Sequence, residues 1–362
     1  MKSTAGRIDQ VIPDISFGDA ASSHALALRE VFRGMGLESE LYARNIHPRL
    51  KGAVREYQEY SSGTRDVVVY HMATASDMIF DIGRQKGITR VMMYHNVTPE
   101  HFFAGYSTVY AAACREAREQ LGKAKGMYDY CLGASEYNCR ELRELGYRNV
   151  SELPILIPYA DYEKEPDEAL MERLSDGRVN ILFLGRIVPN KKQEDVIKCF
   201  YYYKRYYDKD SRLFLVGSFD GMETYCNALR TLVKSLELED VFFTGKVPFE
   251  QILAYYRKAH LLLSMSEHEG FCVPLIESMY FDVPIIAYKE AAIPYTLKEA
   301  GVLLTEKDYP LTAGVMDRVI RDDALRASLI HGQRERLRDF SYERVAGLAK
   351  DYFTKMLGVE NG

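Results

Sequence analysis

The chain has 362 residues, a net charge of −5 and 47% hydrophobic residues. This length suffices for two domains of roughly 100–200 residues each. The negative charge gives no general reason to expect nucleic-acid binding, and no apolar run reaches the ~20 residues that cross a bilayer. Because the sequence shows no secretion signal at its start, it predicts a cytoplasmic protein.

Strand-like and helical patterns alternate through the first half of the chain, which is typical of parallel sheets built from βαβ units. The helical run SSHALALREVFRGMG has Ser22 or Ser23 as a candidate cap. The predicted strands cover residues 8–12, 38–43, 66–71, 90–95, 128–133 and 150–153.

A second alternating series follows the stretch PILIPYADYEKEPDEAL, whose prolines and charge cluster predict a linker. Its strand-like runs are short and apolar, as expected for strands covered on both faces. They cover residues 179–187, 211–219, 241–247, 259–266, 283–289 and 301–305. We predict an α/β fold of two doubly wound domains, residues 1–155 and 176–340, joined by a linker over 156–175.

The loop SEHEGFCVP, residues 266–274, runs from a predicted strand to a helix that begins near Val273 or Pro274. In open parallel sheets, ligands bind at the carboxyl ends of strands, where such loops lie. The amides at the helix start would point outwards, and the helix dipole favours an anion there. The pattern predicts a phosphate site made by the backbone of Gly270, Phe271, Cys272 and Val273.

Two carboxylates flank this loop. Glu277, one turn into the helix, suits the two neighbouring hydroxyls of a ribose, and Glu269 suits sugar hydroxyls beyond the phosphates. The alternative is that both only stabilise the helix dipole, which is worth about 0.3–1 kcal/mol. A second loop, GRIVPNKK, follows the first strand of the same half, so that Arg186 and Lys191 would place two cations near the anion.

GRIVPNKKQEDVI and SEHEGFCVPLIES together resemble the C-terminal half of the family 4 glycosyltransferases of the GT-B fold. Glu269 and Glu277 match the E-x7-E pattern of that family, and Arg186 and Lys191 match its Arg…Lys pair. In the first half, SFGDAASSHALALREVF, YHNVTPE and GASEYN are similar to the family's loop and strand-end motifs. The resemblance implies two Rossmann-like domains facing a central cleft, with a helix over 341–358 packing back on the first, acceptor-side domain.

The family moves a sugar from a nucleotide diphospho-sugar with retention and without a metal ion at the donor. On this sequence, the resemblance implies that Arg186, Lys191 and the amides of 270–273 hold the diphosphate. Glu277 would hold the ribose and Glu269 the donor sugar. The backbone near Val247 would contact the base.

The first domain contributes the remaining residues that the resemblance implies. Gly18 and Asp19 would form the loop that faces the donor, although this sequence has a single glycine where the family more usually has a pair. His95 matches a histidine near the reacting centre, where it would bind the donor sugar or orient the acceptor. The alternative is a histidine that merely caps a strand end.

The form EHEGFCVP resembles mannosyltransferases more than glucosyltransferases, which favours GDP-mannose as the donor, with a UDP-sugar as the alternative. The implied acceptor is a glycan or a lipid-linked glycan, and no cofactor, metal or nucleic acid is expected. Asp208-Lys209-Asp210 matches the DxD pattern of metal-dependent transferases, but it precedes a strand and is predicted to be a surface turn.

The basic helix REAREQLGKAK, residues 115–125, is typical of a solvated face, and contact with the anionic inner face of the cell membrane is the alternative. Two other functions stay open for the whole chain. One is a sugar-nucleotide 2-epimerase of the same architecture, and the other is a non-catalytic partner that binds a nucleotide sugar for another transferase.

Overall fold

The computed structural model describes residues 6–16, 18–63 and 66–358. Phe17 of the quoted SFGDAASS motif and the first five residues of the predicted first domain lie outside this part. The chain divides into two compact units. The first comprises Met1–Glu100, Ala112–Pro158 and Asp339–Gly362, and the second comprises His101–Ala111 and Tyr159–Arg338.

The first unit contains one parallel sheet of seven strands in the described residues, in the order β3-β2-β1-β4-β5-β6-β7. The strands are β1 Ile8–Ile15, β2 Leu41–Ile46, β3 Arg55–Glu56, β4 Val67–Met72, β5 Thr89–Tyr94, β6 Tyr130–Gly133 and β7 Val150–Glu152. All six residues of β4 are buried, as expected for a central strand covered on both faces. The strand order reverses between β1 and β4.

The helices up to Pro158 are α1 Ala20–Gly34, α2 Met78–Gly83, α3 Thr108–Lys123 and α4 Glu136–Glu144. The cap predicted for α1 was wrong, because the helix begins earlier than the pattern indicated. Asp19 is the N-cap, and its carboxylate accepts hydrogen bonds from the amide and the hydroxyl of Ser22. A carboxylate at this position also suits the positive end of the helix dipole.

The second unit contains a parallel sheet of six strands in the described residues, in the order β10-β9-β8-β11-β12-β13. The strands are β8 Asn180–Leu184, β9 Arg212–Val216, β10 Val241–Gly245, β11 Leu261–Ser264, β12 Ile285–Tyr288 and β13 Val302–Leu304. The order is that of a doubly wound sheet, and it reverses between β8 and β11.

One helix precedes the strands of the second unit and the others follow them: α5 Glu168–Arg173, then α6 Gln193–Tyr206, α7 Glu223–Ser235, α8 Phe249–Lys258, α9 Val273–Tyr280, α10 Ile293–Leu297, α11 Tyr309–Arg321 and α12 Asp323–Leu337. The segment predicted as a linker, 156–175, contains α5 and a short 3-10 helix, Tyr159–Glu163. The last helix, α13 Tyr342–Met356, belongs to the first unit. It packs on α1, where the ring centroids of Phe32 and Phe353 are 4.6 Å apart.

Among the described residues, none of the helices combines the length and the apolar character that crossing a membrane requires.

Candidate functional site

Two loops of the second unit lie at one edge of its sheet. β8 and β11 are adjacent and parallel, so the loops that leave their carboxyl ends, residues 185–192 and 265–272, are neighbours. They lie where the strand order reverses, which is the position of the ligand crevice in doubly wound sheets. The sequence-predicted residues Arg186, Lys191 and Glu269 all belong to these loops.

The two loops are fastened to each other by backbone and side-chain hydrogen bonds. The amide of Glu267 donates to the Asn190 carbonyl at 2.8 Å, and the Asn190 side-chain amide donates to the His268 carbonyl at 2.9 Å. Asn190 is buried. Asn190 was not predicted, because an asparagine inside a turn gives no sign of a partner 78 positions away.

Lys191 and Glu269 form an ion pair across the two loops. The Lys191 ammonium donates to Oε1 of Glu269 at 2.6 Å, and the two side chains are only 16% and 10% exposed. Burial acts to lower the pKa of Lys191, but attraction to Glu269 and Cys272 and the hydrogen bond to Glu269 together raise the pKa, so that the lysine stays charged. Lys191, Glu269, Cys272 and Pro274 line a small cavity at this point.

The start of α9 closes the same site. Cys272 is the N-cap in a left-handed conformation, with φ 71° and ψ 68°, and Pro274 lies in the first turn. The hydroxyl of Thr296 donates to the Phe271 carbonyl at 2.7 Å and so holds the turn from below. The first-turn amides of a helix have no partner inside the helix, and the dipole adds partial positive charge. Cys272 and Val273 stand at this helix start, where an anion is favoured, and Gly270 and Phe271 lie in the loop directly before it.

Arg186 is exposed and contacts a residue that the sequence analysis did not select. Its guanidinium donates to the Tyr110 hydroxyl at 3.0 Å and lies 5.4 Å from the centre of the Tyr110 ring. Tyr110 belongs to His101–Ala111, which is part of the second unit. The Arg186 carbonyl accepts a hydrogen bond from the side-chain amide of Gln193 at 2.9 Å, which fixes the loop against α6.

Glu277 accepts two tyrosine hydroxyls, one on each carboxylate oxygen. Tyr162 donates to Oε1 at 3.0 Å and Tyr256 donates to Oε2 at 2.6 Å. Burial raises the pKa of Glu277, and the two hydroxyl bonds oppose that rise. Neither tyrosine was predicted, since Tyr162 lies in the segment interpreted as a linker and Tyr256 in an ordinary amphipathic helix.

Val247 follows a different strand from those that carry these loops. It follows β10, which is the edge strand of the sheet, two strands from β8. The side chain is half-buried. The structure therefore places Val247 at the same carboxyl edge as the two fastened loops, after a strand that is two positions from β8.

The candidate residues of the first unit lie at the carboxyl ends of β1 and β5. Gly18 has φ 82°, which favours glycine, and it precedes Asp19, the cap of α1. His95 directly follows β5 and is half-buried. Its Nε2 is 2.9 Å from Nδ1 of His71. Burial lowers the pKa of His95 to about 4, although the Asp19 carboxylate acts in the opposite direction.

No group of three or more histidine, cysteine, aspartate or glutamate side chains in the described residues is arranged to hold a metal ion. The DxD-like turn precedes β9, at the amino end of that strand. There Asp208 pairs with Arg321 at 3.2 Å. The turn is thus remote from the carboxyl edge that carries the two loops.

Comparison with known proteins identifies the segment that carries these loops. Residues 170–336 match the family described as glycosyl transferases group 1. The chain is 31% identical over 177 residues to N-acetyl-alpha-D-glucosaminyl L-malate synthase of Bacillus anthracis, covering 47% of this chain and 42% of the relative. It is 29% identical over 168 residues to a Campylobacter jejuni alpha-1,4-N-acetyl-D-galactosaminyltransferase named for a diphospho-undecaprenol-linked substrate, covering 46% and 45%. The matches thus span less than half the length of these relatives.

Over nearly its full length, the chain is similar in structure to Anabaena Alr3699/HepE in complex with UDP-glucose. The TM-score is 0.77 at 13% identity, and the match covers 96% of this chain and 99% of that one. A likeness at this identity concerns the fold. Residues 170–336 of this chain are thus similar to the glycosyl transferases group 1 family, and its two parallel α/β sheets form the GT-B fold.

Proposed function

We propose that this protein transfers a sugar, with retention of configuration, from a nucleotide diphospho-sugar to a glycan or lipid-linked glycan acceptor. One observation carries the proposal. Within the segment that matches the transferase family, the loops after β8 and β11 are fastened together at the strand-order reversal, with Lys191, Glu269 and the start of α9 in one place.

The diphosphate is the part of the donor that these groups suit best. Arg186 and the amides of 270–273 bind its oxygens, and Lys191 adds a second cation. At 4 Å and an effective dielectric constant near 20, each unit charge pair is worth about 4 kcal/mol before desolvation. These fixed charges stabilise the negative charge that grows on the departing phosphate, which lowers the barrier to transfer.

Glu277 retains capacity for the ribose in spite of its two tyrosine partners. A carboxylate offers about four lone-pair positions, and each oxygen here uses one position for a tyrosine hydroxyl. One position on each oxygen is left, which matches the two neighbouring hydroxyls of a ribose. Tyr162 and Tyr256 then orient the carboxylate instead of competing with the ligand.

Glu269 and His95 act on the sugar in this proposal. Glu269 accepts a sugar hydroxyl while its other oxygen stays with Lys191, so that the carboxylate couples the sugar to the diphosphate site. His95 binds the donor sugar or orients the acceptor hydroxyl. The departing phosphate oxygen takes the proton of that hydroxyl, and attack on the face that the phosphate leaves retains the configuration. Gly18 and Asp19 complete the donor site, and the backbone near Val247 contacts the base.

GDP-mannose is our first candidate donor, on the form of the EHEGFCVP loop, and a UDP-sugar is the second. A lipid-linked acceptor is supported by the name of the Campylobacter relative. Membrane contact through α3 has weaker support, because Arg118 pairs with Glu141 at 2.8 Å and Lys123 with Glu119 at 3.2 Å. These pairs reduce the charge that an anionic surface would meet.

Thermal-shift titration with GDP, UDP, ADP and their sugars tests the donor, followed by incubation of the stabilising sugar nucleotide with and without glycan acceptors. We expect acceptor-dependent release of the nucleoside diphosphate. Conversion of the sugar nucleotide without any acceptor would instead identify an epimerase. Binding without either reaction would support the non-catalytic partner.

Arg186→Ala tests the diphosphate contact. We expect the affinity for the nucleoside diphosphate to fall at least tenfold, while the affinity for the nucleoside alone changes little, because only the former carries the charge that Arg186 meets. Arg205→Ala, which removes an exposed arginine of α6, is the control and should change neither affinity. Isothermal titration calorimetry measures both, and an equal loss for both ligands in Arg186→Ala would contradict the role.

A further inference from the structure

A chain of hydrogen-bonded side chains runs through the first unit from β1 to the end of β5. The side-chain amide of Gln10 donates to the Ala25 carbonyl at 2.9 Å, and its Oε1 lies 2.9 Å from Nε2 of His71. Nδ1 of His71 lies 2.9 Å from Nε2 of His95. Gln10 and His71 are fully buried, and the chain ends at the half-buried ring of His95.

The chemistry of the partners determines where the hydrogens lie. The Ala25 carbonyl can only accept, so the nitrogen of the Gln10 amide faces it and the amide oxygen faces His71. That oxygen also only accepts, and therefore Nε2 of His71 carries the hydrogen. A neutral imidazole has one N–H, so that Nδ1 of His71 carries a lone pair and accepts a hydrogen bond.

The tautomer of His95 follows from that of His71. Because Nδ1 of His71 accepts the hydrogen bond between the two rings, Nε2 of His95 must donate it. Nδ1 of a neutral His95 then carries a lone pair and no hydrogen. Both rings are neutral near pH 7, since burial lowers the pKa of each and the Asp19 carboxylate does not reverse the effect at His95. The 5.2 Å between the ring centroids equals the N···N distance plus the two ring radii, and the planes differ by 14°. The bond thus lies in the planes of the rings, as a lone-pair hydrogen bond requires.

His24 holds the ring of His95 from another side. Its ring meets the His95 ring edge to face, with centroids 5.6 Å apart and planes 78° apart. The amide of Leu156 donates to Nδ1 of His24, so that Nε2 carries the hydrogen of the neutral ring. This Nε2 is buried and has no hydrogen-bond partner among the described residues. His24 therefore restricts the His95 ring by packing rather than by a hydrogen bond.

We propose that Gln10 and His71 are positioning residues that hold His95 in the tautomer with hydrogen on Nε2, so that its Nδ1 presents a lone pair to a sugar hydroxyl. The inference rests on the proposed function for the identity of that ligand. It makes His95 a neutral hydrogen-bond acceptor, which selects a hydroxyl and excludes the role of a cation that contacts phosphate.

Long-range ¹⁵N–¹H correlation spectra of the full chain, labelled with [¹⁵N]histidine, test the tautomer directly at pH 7. His95→Gln assigns the resonances. We expect a protonated Nε2 and an unprotonated Nδ1 on His95. A protonated Nδ1 on a neutral ring, or a cationic ring, would overturn the proposal. This readout needs no catalysis, so it separates failure of the positioning from failure of the proposed transferase activity.

Two variants at one position test the consequence for the reaction. His71→Asn puts an amide oxygen near the place of the accepting Nδ1, whereas His71→Leu removes the acceptor. We expect His71→Asn to keep the His95 tautomer and to lower kcat less than threefold. His71→Leu should mix the tautomers and lower kcat at least tenfold, with the Kd for the nucleoside diphosphate unchanged.

Equal losses of kcat in the two variants, or an unchanged tautomer and kcat in His71→Leu, would overturn the positioning role. If His71→Leu fails to fold, the spectrum of the unsubstituted protein and the behaviour of His71→Asn still decide the matter. The nitrogen shifts also report the ligand. Adding the sugar nucleotide should shift Nδ1 of His95, and the nucleoside diphosphate alone should not, whereas equal shifts with both would argue against a sugar hydroxyl as the partner.

Discussion

Lys191 and Glu269 meet in a place where water screens them little. Their contact is 2.6 Å long and both side chains are nearly covered. Removing one member of a buried pair leaves an unpaired charge, which costs about 3–5 kcal/mol. Lys191 is therefore charged and paired with Glu269 before any ligand binds. An anionic ligand would give this lysine a second partner.

Glu269→Gln should lower the free energy of unfolding by about 3–5 kcal/mol, because the amide keeps the shape but leaves Lys191 without its counter-charge. A nucleoside diphosphate should restore more stability to this variant than to the unsubstituted protein, since the phosphate replaces the lost charge, while transfer should be lost. Urea unfolding with and without the nucleotide measures the stability.

Glu119→Gln is the control for this variant, because it disrupts the exposed pair with Lys123. It should cost less than about 1 kcal/mol. Full transfer activity in Glu269→Gln would remove Glu269 from the chemistry.

At this scale the sequence predicted the charged residues of the two loops but not their pairing. Arg186, Lys191 and Glu269 follow strand-like runs, and parallel strands bring their carboxyl ends to one edge. The sequence assigned Lys191 to phosphate and Glu269 to sugar as separate contacts. Their direct contact depends on the path of both loops in space, and Asn190, which fastens the loops, carries no local pattern.

At the scale of elements, three pieces of the second unit converge on one carboxylate. The 3-10 helix Tyr159–Glu163 supplies Tyr162, α8 supplies Tyr256 and α9 supplies Glu277. Hydrogen bonds to an ionised group are worth about 1.5–3 kcal/mol, and they favour the charged form. The two tyrosines thus counteract burial, which alone drives the pKa of Glu277 upwards.

Tyr256→Phe should raise the pKa of Glu277 further, because the variant loses the shorter of the two hydroxyl bonds. Affinity for the nucleoside diphosphate should then fall as the pH decreases, over a range nearer to neutrality than in the unsubstituted protein. Calorimetry measures the Kd of the nucleoside diphosphate at a series of pH values from about 5.5 to 8, a range that brackets neutrality.

Tyr255→Phe changes the adjacent residue of α8, a buried tyrosine that packs on Phe214, and serves as the matched control. Its pH profile should coincide with that of the unsubstituted protein. If the profile of Tyr256→Phe coincides as well, Glu277 does not contact the ligand as an ionised group.

The strands were predictable because buried parallel strands are continuous apolar runs bounded by polar segments. β3 was missed, since Arg55–Glu56 is only two exposed residues long and has no period. The cap of α1 was misassigned to serine because a neighbouring serine and aspartate both satisfy the rule, and only the backbone shows which begins the helix.

At the scale of the molecule, three histidines that are neutral in the native state, the buried His24 and His71 and the half-buried His95, make stability depend on pH. Burial lowers the pKa values of His24 and His71 well below 6.5 and that of His95 to about 4. Between about pH 4 and 6.5 these three histidines bind protons in the unfolded chain but stay neutral in the native state. The free energy of unfolding therefore rises with pH in that window, by up to about 1.4 kcal/mol per pH unit for each ring, and the gain is complete above 6.5.

Urea unfolding should accordingly give a lower free energy at pH 5 than at pH 7. Asp9 offsets one ring in part, because burial raises its pKa to about 6 and stability from this carboxyl falls as the pH rises from 3.8 to 6. His24→Asn should reduce the difference between the two pH values, and His331→Gln, at an exposed position, should not. A free energy at pH 5 equal to that at pH 7 would contradict the assignment of neutral buried rings.

The fold class followed from the alternation of strands and helices, and the structure and the comparisons confirm the GT-B fold. The assignment of His101–Ala111 to the second unit had no signal in the sequence. It depends on contacts such as that of Tyr110 with Arg186 and that of Tyr106 with Tyr225, which join aromatic residues to partners far along the chain. Such contacts leave no period in a single sequence.

The left-handed backbone at Cys272 limits which residue types can replace this cysteine in the course of evolution. A side chain in that conformation costs roughly 1–2 kcal/mol, and a β-branched residue fits it least well. Glycine and asparagine tolerate it best, so homologous turns of the same shape should draw on a short list of residue types. Selection on the shape of the main chain then acts at this position even where no atom of its side chain touches a substrate.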